Sequence, residues 1–221
     1  MAPGKAMAMP EFHAEQTALV YTQAPIALVT ALVVAALLAA GLWGVVDHGM
    51  LMLWLGLQVM QTLFRAVLVN RYNRCDAAGR RDRRWARLYI LGTLVSGAVW
   101  GCIGLFMGPG MPVFQQVLVI MGLAAVLAGA ISSYAVLMPV YIAFMAPAML
   151  ITAQSMLLQS GESQNVIGLL FIVFAAALLV IARNYSNSVA RTLALRNENR
   201  QLLERMSASN MALEAEVRER E

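Results

Sequence analysis

The stretch VIGLLFIVFAAALLVIARNYSNSVARTLALRNENRQLLERMSASNMALEAEVRERE, from Val166 to Glu221, sets the architecture. Up to Arg183 it is apolar enough to cross a bilayer. Beyond Arg183 the composition changes to Arg, Glu, Asn, Gln, Leu and Met. Neither Gly nor Pro occurs after Gly168, so nothing in the sequence interrupts a helix that leaves the membrane. At 1.5 Å per residue, the part beyond Arg183 would project roughly 55 Å.

Two heptad frames run through this tail. Leu195, Asn199, Leu202 and Met206 fall on alternating steps of four and three residues, as coiled-coil core positions require. Leu203, Met206, Asn210, Leu213 and Val217 do the same in an offset frame. The frames share Met206, and the offset resembles a stutter, where a supercoil locally unwinds. Asn210 at a core position favours a parallel, in-register pair. So few heptads are marginal alone, so dimerisation needs help from the membrane part or from something further along. A solvated helix lying against the bundle or the membrane is the plainer alternative. The interspersed Glu198, Glu204, Glu214 and Glu216 argue against an anchor on anionic lipid. Because the chain stops in mid-pattern at Arg220-Glu221, the expectation is a connector cut before its output domain.

Upstream, the rest of the 221 residues explain what the tail is joined to. The chain is 60% hydrophobic and 13% charged, with a mean hydropathy of +0.68. Soluble domains run nearer 45–50% apolar and about 25% charged. The composition excludes a disordered chain, a basic nucleic-acid-binding domain and a disulfide scaffold. Cys75 lies in an arginine-rich loop and Cys102 in an apolar run, and neither has a neighbour at metal-ligand spacing. Six apolar runs are long enough to cross a bilayer: Ile26–Val46, Leu51–Val69, Leu88–Gly108, Val113–Tyr134, Met138–Leu158 and Val166–Arg183. Turn-forming or charged breakers separate them; the weakest boundary is Ser132 to Pro139. The expected fold is an all-α membrane protein, a six-transmembrane helix bundle whose sixth helix continues into a cytoplasmic coiled coil. Its expected parts are an N-terminal cytoplasmic or interfacial segment (1–24), a sensor bundle (25–185) and a signalling coiled coil (186–221). Pro10 to Pro25 brackets a segment that suits either a helix on the membrane face or an unstructured arm.

Arginine placement gives the orientation. Arg71, Arg74, Arg80, Arg81, Arg83, Arg84 and Arg87 cluster after the second span, and the tail carries Arg183 to Arg220. The three loops on the other side hold no Lys or Arg, only Asp47 and Glu162. Both termini are therefore expected on the cytoplasmic side. The first 25 residues, with one Lys and two Glu, do not read as a cleaved signal peptide.

No span contains His, Asp, Glu or Lys, so catalysis, metal chemistry or proton coupling within the bilayer lacks its usual groups. No catalytic residue, metal ligand set or cofactor motif is assigned. The second span carries a polar stripe, Trp54, Gln58, Gln61 and Arg65, spaced to share one helix face. Arg65, about one turn from the inner end, can snorkel to the headgroups. Gln58 and Gln61 need interhelical partners, which is the structural role, or a ligand. Gly97-xxx-Gly101 and Gly104-xxx-Gly108 in the third span, and Gly122, Ala125 and Gly129 in the fourth, are small-residue faces that suit close helix packing. Pro147 frees the carbonyl of Ala143 and is expected to kink the fifth span. Gln58, Gln61, Arg65, Trp100 and Pro147 form the candidate ligand-binding set, for a small amphipathic or apolar molecule. His48 and the methionines Met50, Met52, Met107, Met111 and Met156 offer soft ligands suited to Cu(I), but methionine is also a routine apolar filler.

Four segments carry a resemblance to a known group: Leu19-Val20-Tyr21-Thr22-Gln23-Ala24-Pro25, Arg84-Trp85-Ala86-Arg87, Ser96-Gly97-Ala98-Val99-Trp100-Gly101 and Ala194-Leu195-Arg196-Asn197-Glu198-Asn199. Together the chain resembles the six-helix membrane input regions of proteobacterial histidine kinases and diguanylate cyclases. The resemblance implies a dimeric inner-membrane sensor coupled to such an output domain, the kinase slightly favoured. The chain itself holds no phosphoacceptor-histidine segment, ATP-binding motif or Gly-Gly-Asp/Glu-Glu-Phe loop. Expected partners are membrane lipid, a parallel second copy and an unidentified ligand, without nucleic acid. The alternative is a small six-span transporter or channel with a cytoplasmic oligomerisation helix; the hairpins show no convincing internal repeat to favour it.

Overall fold

The computed structural model of the chain describes residues 9–80, 82–108, 110–157 and 162–220. Among the described residues seven α-helices follow one another: α1 (Met9–Leu42), α2 (His48–Arg74), the short α3 (Ala77–Arg80), α4 (Arg84–Gly101), α5 (Val113–Tyr134), α6 (Met138–Leu157) and α7 (Glu162–Arg220). A 3₁₀ turn, Cys102–Phe106, extends α4, and the described residues include no strand. Six of these helical segments are long and apolar enough to cross a membrane. Their outward faces carry Val29, Leu37, Leu53, Met60, Leu63 and Leu170, all exposed. Such a surface suits a hydrocarbon solvent, in which only helices with internally satisfied backbones are stable.

Local sequence explains several helix ends. Asp47 caps α2 by accepting from the Met50 backbone N–H at 3.0 Å. At the other end Arg71 and Arg74 occupy the last turn, where cations complement the helix dipole. Gly110 (φ +89°) turns the chain between the 3₁₀ turn and α5 in a left-handed conformation open to glycine.

The tightest packing joins α4 to α6. A Cβ on Gly97 would overlap the Phe144 carbonyl oxygen, one on Gly101 would stand 2.9 Å from the Pro147 oxygen, and one on Gly104 2.8 Å from Thr152 Cα. Absence of side chains at Gly97, Gly101 and Gly104 lets the two backbones meet, the means by which helices associate in lipid. Gly108 has open space around it and takes no part. Between α1 and α5, Gly122 receives the Leu38 side chain and Gly41 that of Leu118.

Two features differ from the sequence expectations. The chain does not divide at Pro25: α1 runs through it, and Val20, Tyr21 and Ala24 are sealed in the core. Pro25 forfeits only the hydrogen bond to the carbonyl of Tyr21. The Tyr21 side chain is stacked on Tyr72 at 3.9 Å and bonded to the Trp85 carbonyl at 3.1 Å. Residues 1–8, the start of the expected interfacial segment, lie outside the described part. Of the residues offered for copper, Met107, Met111 and Met156 are buried in the core whereas Met50 and Met52 are exposed, and the described residues hold no group of three or more His, Cys, Asp and Glu suited to a metal.

The last helix is continuous from Glu162 to Arg220. Phe171, Leu178 and Ala182 are buried in the bundle, while Leu195 (61%), Leu203 (67%) and Met206 (63%) stand exposed, as do Asn199, Leu202 and Asn210. The side chains of Leu213 and Val217, assigned to the downstream frame, lie outside the described residues.

Candidate functional site

Arg65 does not snorkel. Six residues separate it from Arg71, about 9 Å of helix, and its side chain turns into the bundle, where it is 3% exposed. The guanidinium donates one hydrogen bond to the Tyr134 hydroxyl and another, 2.9 Å long, to the Tyr89 hydroxyl. It also lies 5.0 Å from the centroid of each ring, within cation–π range. The first five spanning segments contain no Asp or Glu. Among the described residues, the ion pairs are the exposed Arg84–Asp82 and Arg200–Glu204, and none involves Arg65. A full positive charge is thus held in the bundle by two neutral phenols, without a counter-ion among the described residues.

One turn further along α2 lies an amide pair. Gln61 Nε2 donates to Gln58 Oε1 at 3.0 Å and approaches the Thr62 hydroxyl at 3.3 Å. Both glutamines are buried, at 1% for Gln58 and 6% for Gln61, yet Gln58 Nε2 and Gln61 Oε1 have no partner among the described residues. Buried polar atoms are nearly always satisfied, so two orphans on neighbouring amides require an explanation. Trp54, on the same face, donates from Nε1 to the Val99 carbonyl at 2.8 Å and meets Trp100 edge-on at 5.7 Å.

Beside this stripe is a cavity of about 270 Å³. Gln61 and Arg65 from α2, Ser96 and Trp100 from α4, Tyr134 from α5 and Phe144 from α6 line its depth. Its mouth lies between α1 and α5, with Ile26 (76% exposed) and Thr30 on one side and Ala125, Gly129 and Ser132 on the other. Contacts close it above and below. Leu38 of α1 fills the space at Gly122 of α5 toward one end, and Gln16 Nε2 bonds the carbonyl of Val136, in the turn after α5, at 3.2 Å toward the arginine-rich end. Between those ties a Cβ on Gly129 would find no atom within 4 Å. The result is a window facing the side of the bundle.

Of the five candidate binding residues, Gln61, Arg65 and Trp100 share this cavity. Gln58 stands behind Gln61 as its hydrogen-bond partner. Pro147 does not line the cavity: its ring packs against Gly97 at the α4–α6 contact. Sequence reasoning missed Tyr89 and Tyr134. Their signal was indirect, since a buried arginine with no acid in reach must find neutral acceptors, and tyrosine hydroxyls are the available ones. It also missed Ala125 and Gly129 as rim residues, because a small-residue face reads equally as packing or as a gap.

At the arginine-rich end, Tyr185 of α7 donates to the Ser132 carbonyl on the cavity rim at 3.3 Å. The bundle's cavity and its longest helix thus touch directly. Comparison with protein-family models, curated proteins and solved structures finds no match for the chain.

Proposed function

We propose that the chain is the sensory and dimerising input module of a signalling protein of the bacterial inner membrane, with both termini in the cytoplasm. A molecule occupying the bundle changes how the helices pack, α7 carries the change outward, and a parallel pair of tails delivers it to an output domain. In that role we place a histidine kinase slightly ahead of a diguanylate cyclase.

One observation carries this reading: α7 is a single helix, buried in the bundle at Phe171, Leu178 and Ala182 and bare at Leu195, Leu202, Leu203 and Met206. A helix of this form transmits rotation or sliding over its whole length. The Tyr185–Ser132 contact couples it to the cavity rim. The two heptad frames then supply the bistable element that a switch needs, Leu202 serving one and Leu203 the other.

Disulfide trapping in membranes tests the reading. Leu202→Cys and Leu203→Cys single variants are expected to cross-link two copies of the chain, in proportions that Tyr185→Phe alters. Absence of inter-chain cross-links at both positions, or cross-linking of Glu198→Cys as readily as of either, would refute a parallel paired tail. Solute flux through proteoliposomes containing the full chain would instead support a transporter.

A further inference from the structure

We infer that the cavity beside Arg65 is a binding site for the anionic head of a single-chain amphiphile, admitted sideways from the bilayer through the window between α1 and α5. This names the ligand class of the input module, and rests on that reading for its signalling consequence but not for the binding.

Three independent features converge. The first is charge: a guanidinium keeps its proton in proteins, and this one has two of its five donors on tyrosines and no carboxylate paired with it among the described residues. Buried charges are stable when paired, so the missing partner is an anion. The second is the orphaned amide pair. Gln61 lines the cavity, and its oxygen, like the Gln58 nitrogen behind it, is buried with no partner among the described residues. Turning both amides about their side-chain ends preserves their mutual bond and exchanges the two orphaned atoms, so after a side-chain movement of Gln61 the pair can offer an acceptor or a donor to a head group. The third is access. The mouth opens on the flank of the bundle between apolar residues, Ile26 on α1 and Ala125 and Gly129 on α5. An occupant that reaches Arg65 by that route has an apolar part that stays among lipid chains. A volume near 270 Å³ suits one head and the start of one chain rather than a diacyl lipid.

Carboxylate and phosphate heads share this chemistry. The test uses the full chain in phosphatidylcholine nanodiscs and radiolabelled dodecanoate, read by scintillation proximity, with unlabelled competitors. One saturable site per chain is expected, displaced by dodecyl phosphate at similar concentration and by dodecanol only at concentrations at least tenfold higher. Arg65→Gln is expected to weaken binding tenfold or more, and Arg65→Lys less. Gly129→Phe, which fills the window without touching the arginine, is expected to weaken it by a similar factor and so separates loss of access from loss of fold. Equal potency of dodecanol, wild-type affinity in Arg65→Gln and Gly129→Phe, or absence of a saturable site overturns the inference. So does preference for dioleoyl phosphatidate over dodecyl phosphate, which makes the occupant a bilayer phospholipid. If dodecanoate binds but leaves the Leu202→Cys and Leu203→Cys cross-linking pattern unchanged, the binding site stands and the signalling reading falls.

Discussion

Arg65 and Tyr134, 69 positions apart in sequence, are joined by a hydrogen bond that ties the C-terminal half of α2 to the last residue of α5. Tyr89 adds α4 to the same knot. Three helices are thus fastened around a charge whose burial opposes folding, an arrangement that is costly for stability and therefore informative about use.

Arg65→Met is accordingly expected to leave thermal stability in detergent unchanged or raised, by up to about 4 kcal/mol, because an apolar side chain of similar length removes the unpaired charge. Tyr134→Phe in the wild type is expected to destabilise by about 1.5–3 kcal/mol, the range for a hydrogen bond to a charged group. In the Arg65→Met background the same change should cost nothing, since the hydroxyl has already lost its donor. A double-mutant cycle by thermal or denaturant unfolding checks this, and a coupling near zero would show that the knot contributes nothing.

Gly97→Ala places a methyl against the Phe144 carbonyl oxygen on α6. Backbone has to move, so a loss of about 1–3 kcal/mol is expected, as for overpacked cores. Gly56→Ala is the control, because a Cβ there meets no atom within 4 Å. It should be neutral or stabilising by up to about 1 kcal/mol through helix propensity. Equal losses for both variants would mean that the α4–α6 approach is not what the glycine at 97 provides.

The amide pair gives a third expectation. Gln58 receives one hydrogen bond and leaves its nitrogen unpartnered. Gln58→Leu should therefore change stability by under about 1 kcal/mol, because the bond to Gln61 stays within α2 and even interhelical polar contacts in membranes average less than that. A loss of several kcal/mol, measured by the same unfolding assay, would make the glutamine a structural anchor rather than support for a cavity residue.

How much of this was legible in the sequence follows from what each signal measures. Apolar length finds spanning helices, and the runs at Val113–Tyr134 and Met138–Leu158 coincide closely with α5 and α6 (Val113–Tyr134 and Met138–Leu157). The same signal misplaced the start of α1, because Gln16, Thr17 and Gln23 dilute the hydropathy of a segment whose Val20, Tyr21 and Ala24 are core. Helical spacing put Gln58, Gln61 and Arg65 on one face, but spacing within one helix carries no information about its neighbours. Hence the tyrosine partners of Arg65, and the role of Pro147 as packing against Gly97, appear only once α4, α5 and α6 are assembled around α2. The tail is the reverse case. Its heptad frames are plain in the sequence, whereas a single copy of the chain leaves Leu195, Leu203 and Met206 exposed.

That exposure makes Asn210 a decisive position. In one copy of the chain its side chain is exposed on α7. In a parallel pair with the downstream frame engaged it would face its twin, where a buried asparagine lowers stability but fixes alignment and pairing number. Asn210→Leu is therefore expected to tighten association of the full chain in detergent and to blur its register. Sedimentation equilibrium should show a lower dissociation constant, and Leu203→Cys combined with Asn210→Leu should give a slower or mixed cross-linking pattern compared with Leu203→Cys alone. If Asn210→Leu changes neither association nor cross-linking, the downstream frame does not form a core, and the tail projects from the bundle as a solvated single helix.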